Sequence, residues 1–525
     1  MPEVNQLWRS LQNFTELLAS LGEPAHIVEL VRAALAALLI CLVGAVPAIA
    51  AAPLPNIVII LADDLGYGDL SSYGASRIKT PNIDRLAEEG MRFTDAHSPH
   101  SVCTPSRYGL LTGRYAWRTW NGSGTLWSDD PLLIETNRLT LSTLLKAAGY
   151  STAIIGKWHL GFGAPGSPGW DDKNGPDYNL ELKPGPLEVG FDYFFGVPHV
   201  GQYPHVYIEN HRIVGLDPRD PIKIVLDPKW NRASYLQRLG VPTHTFTGGV
   251  AARYQHEDLG VKLTEKTVEW IDQQRKEPFF LYVAHRDPHG PYRPHARFKG
   301  TSEIGAYGDM INELDWSVGE ILKALDRHGL TDRTLVIFAS DNGGVTDYRD
   351  SKVAEVAGHR LNGPWFGQKT EAYEGGCRVP LVVRWPGKVS PGSESDKLVA
   401  LTDLMATSAE VLGQALPVDA GEDSFSFLPT LLGREAVQPV RQSIVQDSSG
   451  GMFAIREGAW KLILGQGGGG FRGINRPHDS SKPPAQLYNL IDDPGETKNL
   501  YGTQPVIEAR LRSLLREIQF SGRSR

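Results

Sequence analysis

The chain has 525 residues, 41% of them hydrophobic and 22% charged, with a formal net charge of −7. That length exceeds one compact core and calls for about two domains of ordinary globular composition. The acidic balance argues against a nucleic-acid binder, which carries basic residues over a whole face, yet leaves room for an anionic small substrate gripped by a few focused cations.

Residues 1–52 are a separate kind of sequence. The stretch 33–52 is apolar, contains Gly44 and Pro47, and ends in small residues, with Ala48-Ile49-Ala50 as a peptidase-type site and Arg32 as its positive flank. It reads as a signal peptide with an N-terminal extension. A single membrane anchor is the alternative, since the run is nearly long enough to span a bilayer. With the signal removed, the mature chain keeps no stable membrane span. Of the three cysteines, Cys41 falls in this leader, leaving Cys103 and Cys377 and no disulfide framework. Export without disulfides fits a bacterial enzyme with a large core, periplasmic or secreted.

Residues 53–435 alternate short apolar runs with amphipathic stretches, the pattern of an α/β domain. Strands are expected at Asn56–Ala62, 151–155, 278–284, Thr334–Ser340 and Leu381–Arg384, and continuous apolar runs of this kind suit buried, mostly parallel strands. Helices are expected at 82–89, 141–148, 260–274 and 306–328. The last carries Ile311, Leu314, Val318, Ile321, Leu322 and Leu325 at helical spacing, so it is a covering helix. The Pro-, Gly- and aromatic-rich region 162–250 shows little periodicity and reads as a long loop building a binding surface. Residues 436–525 read as a small α+β domain: strands near 443–446, 452–456 and 460–463, a glycine run at 465–470, and a closing helix near 506–518.

Two strands end in paired oxygen donors, Asp63-Asp64 and Asp341-Asn342, at the carboxyl ends where open α/β sheets place their sites. Between them lies C-T-P-S-R, Cys103 to Arg107. Thr104 is a good N-cap and Pro105 suits the first helical position, which sets Cys103 just before a helix N-terminus. Arg107 lies one turn on and can reach back. A thiolate nucleophile is one use of such a cysteine, but it needs an adjacent base and gains little from hard carboxylates.

C-T-P-S-R with T-G-R at 112–114 resembles the signature of the type I, formylglycine-dependent sulfatases. A second signature, G-Y-S-T-A-I-I-G-K-W-H-L-G, stands at 149–161, and T-P-N-I-D-R-L-A (80–87), S-D-N-G (340–343) and Y-E-G-G-C-R-V-P (373–380) extend the match. G-F-D-Y-F-F-G-V-P at 190–198 and Y-I-E-N at 207–210 are similar to the branch holding arylsulfatase A and N-acetylgalactosamine-6-sulfatase. The resemblance implies an alkaline-phosphatase-like large domain, a mostly parallel mixed sheet flanked by helices, plus a small C-terminal domain of antiparallel sheet and helix.

It implies further that a maturation enzyme oxidises Cys103 to Cα-formylglycine, whose hydrate attacks sulfur with one hydroxyl and expels sulfate with the other. Asp63, Asp64, Asp341, Asn342 and the modified Cys103 would hold one cation; all-oxygen ligation favours Ca²⁺, then Mg²⁺, over Zn²⁺. Lys157 and His159 would bind sulfate and deprotonate the second hydroxyl; if the segment stays extended, both side chains point the same way. His289, followed by Gly290-Pro291, would protonate the departing alcohol, with His285 as the competing candidate. Lys369 would be a second sulfate-binding cation, and Arg107 completes the set.

The expected activity is hydrolysis of a sulfate monoester on a small molecule or glycan, most simply at an exposed sugar chain end. Tyr203, His205, Tyr207, His211 and Trp230 could line the sugar pocket or be ordinary packing. A phosphonate monoester or phosphodiester hydrolase of the same superfamily is the alternative, and a non-catalytic binder of sulfated glycans would follow if Cys103 stayed unmodified.

Overall fold

The computed structural model describes residues 54–226, 244–274, 278–434, 441–470 and 478–525, with scattered positions between 13 and 33. The apolar stretch expected as a leader lies outside the described residues from position 34 on, as do Trp230 and the expected domain boundary at 435/436. Met1–Pro53 and Leu54–Arg525 are two compact units; several described positions of the first are helical. Among the described residues no helix is long and apolar enough to cross a membrane.

The second unit is built on a ten-stranded sheet. Its strands in chain order are β1 (Asn56–Ala62), β2 (Met91–Phe93), β3 (Ser151–Lys157), β4 (Tyr193–Val197), β5 (Ile208–Glu209), β6 (Arg212–Ile213), β7 (Phe279–Ala284), β8 (Thr334–Ser340), β9 (Leu381–Arg384) and β10 (Ser393–Ser395). They lie in the order β10-β2-β9-β8-β1-β7-β3-β4-β5-β6. The five central strands, β8-β1-β7-β3-β4, are all parallel, and antiparallel β9 and β5 flank them. Register is tight: Ile57 pairs with Phe280 on one side and Leu335 on the other.

Alternation explains the layers. Along β1, Ile57, Ile59 and Leu61 face one apolar cluster and Val58, Ile60 and Ala62 face another, all fully buried. The first cluster is covered by helices α2 (Cys103–Thr112), α3 (Leu141–Ala147) and α6 (Leu404–Val411). The second is covered by α1 (Pro81–Glu88), α4 (Leu259–Gln273) and α5 (Ala306–Arg327). Helix starts follow local chemistry: Pro81 opens α1, and Thr140 caps α3 by accepting from Thr143 N at 3.1 Å.

A separate four-stranded antiparallel sheet, β11 (Ser443–Asp447), β12 (Phe453–Glu457), β13 (Trp460–Ile463) and β14 (Gln486–Asn489), packs against α7 (Pro505–Phe520). It docks on the large domain through Tyr115, whose hydroxyl accepts from Val445 N at 3.2 Å, and through buried Lys461, 2.9 Å from Glu374. The fold expectation is met: a mixed sheet between helical layers, with a small antiparallel domain.

Region 162–250 departs from expectation. It holds β4, a central strand of the parallel sheet, where a loop was expected. Its sequence, Y-F-F-G-V, is short and interrupted by glycine, so no run of β-branched residues marks it. Gly196 is required there: a Cβ would stand 1.8 Å from Gly156 O on β3.

Candidate active site

Five loops leave the carboxyl ends of the five parallel strands, and together they build one polar centre over the sheet. After β1 come Asp63 and Asp64; after β8, Asp341 and Asn342; after β7, His289. β3 ends at Lys157 with His159 two residues on, and β4 is followed by His199 and Gln202. Cys103 and Arg107 enter from α2, and Lys369 from the loop preceding the Y-E-G-G motif.

Cys103 is buried, with Sγ 3.4 Å from Asp63 Oδ1. Asp63 Oδ2 accepts from Lys157 Nζ at 2.7 Å, both side chains fully buried. Burial alone would raise the Asp63 carboxyl, but Lys157, with His289, Arg107 and Lys369, pulls it well below the carboxylate range. Arg107 forks onto Asp341 Oδ2 at 2.8 Å and 3.1 Å and donates to Lys157 O at 3.1 Å. Burial, and then Asp63, push Asp341 upward. Lys369 Nζ lies 2.6 Å from Asp64 Oδ1, and Asp64 adopts a left-handed φ of 66°.

Burial, then Asp341, raise the Cys103 thiol far above its usual range. The thiol is therefore neutral and a poor nucleophile as it stands. His289 donates from Nδ1 to Gly290 O at 2.6 Å, leaving Nε2 3.6 Å from Asp64 Oδ2; burial brings its pKa down to about 4. His285 is fully buried at the end of β7 with Nδ1 accepting from Asp287 N at 3.1 Å, a local structural contact.

Ligand atoms of Asp63, Asp64, Cys103 and His289 lie within 4.8 Å of one another, a possible metal-binding cluster. Asn342 donates to Asp64 Oδ1 at 2.8 Å, while its own Oδ1 is buried without a hydrogen-bond partner. An orphaned amide oxygen beside three buried carboxylates is the donor set of a hard cation.

Two details differ from expectation. The helix begins at Cys103 after Val102, so Thr104 does not cap it. Its hydroxyl is used sideways, donating to His159 O at 3.0 Å and accepting from Leu126 N at 3.1 Å. Nor does the strand continue through His159, whose φ is +57°; a turn, not strand alternation, brings its ring to the cavity beside Cys103.

The centre opens into a cavity of about 510 Å³. Trp127, Gln202, Tyr292, Asp347 and Gln368 also line it. Sequence reasoning missed them; the rule that loops after parallel strands build the site would have found Gln202 and Asp347. Tyr203, His205, Tyr207 and His211 are not among the lining residues. Tyr203 packs on His205 with ring centres 4.7 Å apart, Tyr207 stacks on Phe195 at 5.3 Å, and His211 meets Glu188 at 3.0 Å. These rings satisfy each other instead of facing the cavity. Cys103 and Cys377 are both buried and free.

The sulfatase family model matches residues 55–414. The chain is 40% identical over 487 residues to an N-acetylgalactosamine-6-O-sulfatase of Bacteroides thetaiotaomicron, covering 89% of this chain and 93% of that protein. It is 35% identical over 464 residues to human arylsulfatase A, covering 85% and 83% respectively. A solved structure from work on the metabolism of multiple glycosaminoglycans by Bacteroides thetaiotaomicron superposes with a TM-score of 0.79 at 39% identity, covering 89% of this chain and all (100%) of that one. The architecture is accordingly alkaline-phosphatase-like.

Proposed function

The chain belongs to the sulfatase family, enzymes that hydrolyse sulfate esters, and on that premise we propose that it cleaves a sulfate monoester from a sugar by attack from a modified Cys103. The observation that carries this reading is the seat of residue 103: buried, 3.4 Å from Asp63, lining the cavity with His289 and Lys369, and with the charges of Lys157 and Arg107 close by. A neutral thiol there has little use, whereas an aldehyde hydrate has two hydroxyls and needs cations around it.

In this reading a maturation enzyme converts Cys103 to Cα-formylglycine. One hydroxyl of the hydrate, its proton released to solvent, attacks sulfur, and the S–O bond to the alcohol breaks as His289 gives that oxygen a proton. His289, whose pKa burial lowers, acquires its proton when an anionic ester binds, since added negative charge raises an imidazole pKa. His159 then takes the proton of the second hydroxyl, the C=O reforms, and sulfate departs. Lys157 and Lys369 bind the sulfate oxygens, and Arg107 orients Asp341 and Asp63. A divalent cation held by Asp63, Asp64, Asp341, Asn342 and residue 103, Ca²⁺ before Mg²⁺, would supply positive charge for the sulfate and acidity for the nucleophile.

The name of the 40%-identical relative supports a sulfated sugar as substrate, and the apolar N-terminal stretch supports export to the periplasm or beyond. Turnover of 4-nitrophenyl sulfate against a nitrophenyl phosphodiester tests the reaction class. The sulfate ester should be the better substrate; preference for the phosphodiester would favour the superfamily's phosphoester chemistry instead.

A further inference from the structure

The small domain reaches the active centre through the end of β11. Its last residue, Asp447, is fully buried and meets the chain that leads into Cys103. Asp447 O accepts from Ser101 N at 3.3 Å and from Ser101 Oγ at 3.1 Å. Its carboxylate makes two contacts: Oδ2 accepts from Ser123 Oγ, and Oδ1 stands 3.1 Å from His100 Nε2. His100 Nδ1 accepts from Val102 N at 3.1 Å, which leaves Nε2 as the protonated nitrogen, toward Asp447. His100 O also accepts from Ser106 Oγ at 3.0 Å. Ring and backbone together tie Asp447 to the start of α2, the helix that carries Cys103 and Arg107.

The turn that follows β11 grips a second segment. Thr370, next to Lys369, donates its N–H to Ser101 O at 2.8 Å, and its carbonyl accepts from Ser449 N at 3.0 Å. Thr370 has a φ of +80°, a conformation that a β-branched residue keeps only when its surroundings fix it. The glycine run of the small domain adds further contacts: Gly468 O accepts from Ala372 N at 2.8 Å, and a Cβ on Gly470 would stand 2.5 Å from Thr370 Oγ1. Ser101 is therefore a shared joint, two residues from Cys103 and bonded to both Asp447 and Thr370. Building on the sulfatase reading, we propose that Asp447 is a positioning residue: through Ser101 and His100 it sets the seat of residue 103 relative to Lys369. The small domain is thereby part of the catalytic assembly, although none of the residues lining the cavity belongs to it.

The test measures kcat and KM for 4-nitrophenyl sulfate in wild type, D447A, D447N, H100A, D447A/H100A and Y115F. Each value is normalised to folded protein and to the fraction converted at residue 103. A misplacement of about 1 Å costs about 10²-fold in rate. D447A should therefore lose about 10- to 100-fold in kcat, with KM changing far less. D447N keeps an oxygen toward His100 and should lose less. H100A should fall as far as D447A, and the double variant no further than the worse single, because the two side chains act as a unit. Y115F removes a docking hydrogen bond to the same strand without touching either segment; it should lower the melting temperature and leave kcat unchanged. Should D447A fail to fold, H100A and D447N carry the comparison. An unchanged kcat in D447A or H100A, additive losses in the double variant, or an equal kcat loss in Y115F would overturn the proposal. Wild type that is fully converted yet turns over no sulfate ester would instead overturn the sulfatase reading beneath it.

Discussion

Lys157 Nζ lies 2.7 Å from Asp63 Oδ2 although the two residues end strands β3 and β1, which are separated by β7. Both side chains are completely buried, and the ammonium bridges the polar centre across a whole strand. Removing one partner of such a pair leaves the other charge uncompensated.

Lys157→Ala should accordingly lower kcat for sulfate ester hydrolysis by about 10²-fold or more, the scale of losing one preorganised cation or donor at a developing charge. It should also destabilise the fold by about 3 kcal/mol, measured by denaturant unfolding. Activity within a few fold of wild type would remove Lys157 from the proposed sulfate site.

Cation removal gives a second expectation. Asn342 Oδ1 is buried without a hydrogen-bond partner beside the carboxylates of Asp63, Asp64 and Asp341, and a bound ion would supply that partner. A chelator should lower both turnover and the melting temperature. Ca²⁺ should restore both, adding about 2.7 kcal/mol of stability at a concentration 100 times its Kd. Mg²⁺ should restore them less well and Zn²⁺ not at all. A chelator-treated enzyme with unchanged melting and activity would contradict the cation.

The pH dependence of stability carries a separate signature. Burial, and then neighbouring Asp287, push the Glu313 carboxyl on α5 up to about 8 from an ordinary 4.5. A folded-state pKa above the unfolded one means the group's stabilising contribution is full below 4.5 and is lost as pH rises through 8. Glu313→Gln keeps an oxygen to accept from His295 N, 2.8 Å from Glu313 Oε2, and removes the ionisation. Its melting temperature relative to wild type should therefore climb between about pH 4.5 and pH 8 and level off above. A pH-independent difference would contradict the assigned direction.

Backbone proximity sets a fourth expectation. Gly156, just before Lys157, has φ +130° and a Cβ would fall 1.9 Å from Ala284 O on β7. Gly156→Ala must spread β3 from β7 and displace Lys157 and His159 together. Loss of soluble folded protein, or at least about 3 kcal/mol of stability, is expected, the scale of strained backbone plus overpacking. A stable, active variant would show that the sheet tolerates the spread.

Much of the centre was legible because its residues sit in short contiguous motifs at strand ends. Asp63-Asp64, Cys103, Lys157, His159 and Asp341-Asn342 could each be tied to an apolar run that became β1, β3 or β8, or to the start of α2. The rest of the cavity lining was not legible for a physical reason. Trp127, Gln202, Asp347 and Gln368 come from irregular loops whose meeting point is fixed by tertiary packing. β4, hidden among aromatics and glycines, carries one of those loops. The aromatic side chains singled out in the same region could not be assigned between pocket lining and ordinary packing, because ring–ring packing and sugar binding use the same residue types.

The most direct measurement joins two numbers on one sample of protein matured in cells: the mass of the tryptic peptide Phe93–Arg107 and the turnover of 4-nitrophenyl sulfate. Conversion of the thiol to an aldehyde makes that peptide about 18 Da lighter, the mass difference between CH₂SH and CHO. Turnover should rise in proportion to the lightened fraction and vanish in Cys103→Ala. Full turnover from peptide still carrying an intact thiol would contradict the central claim.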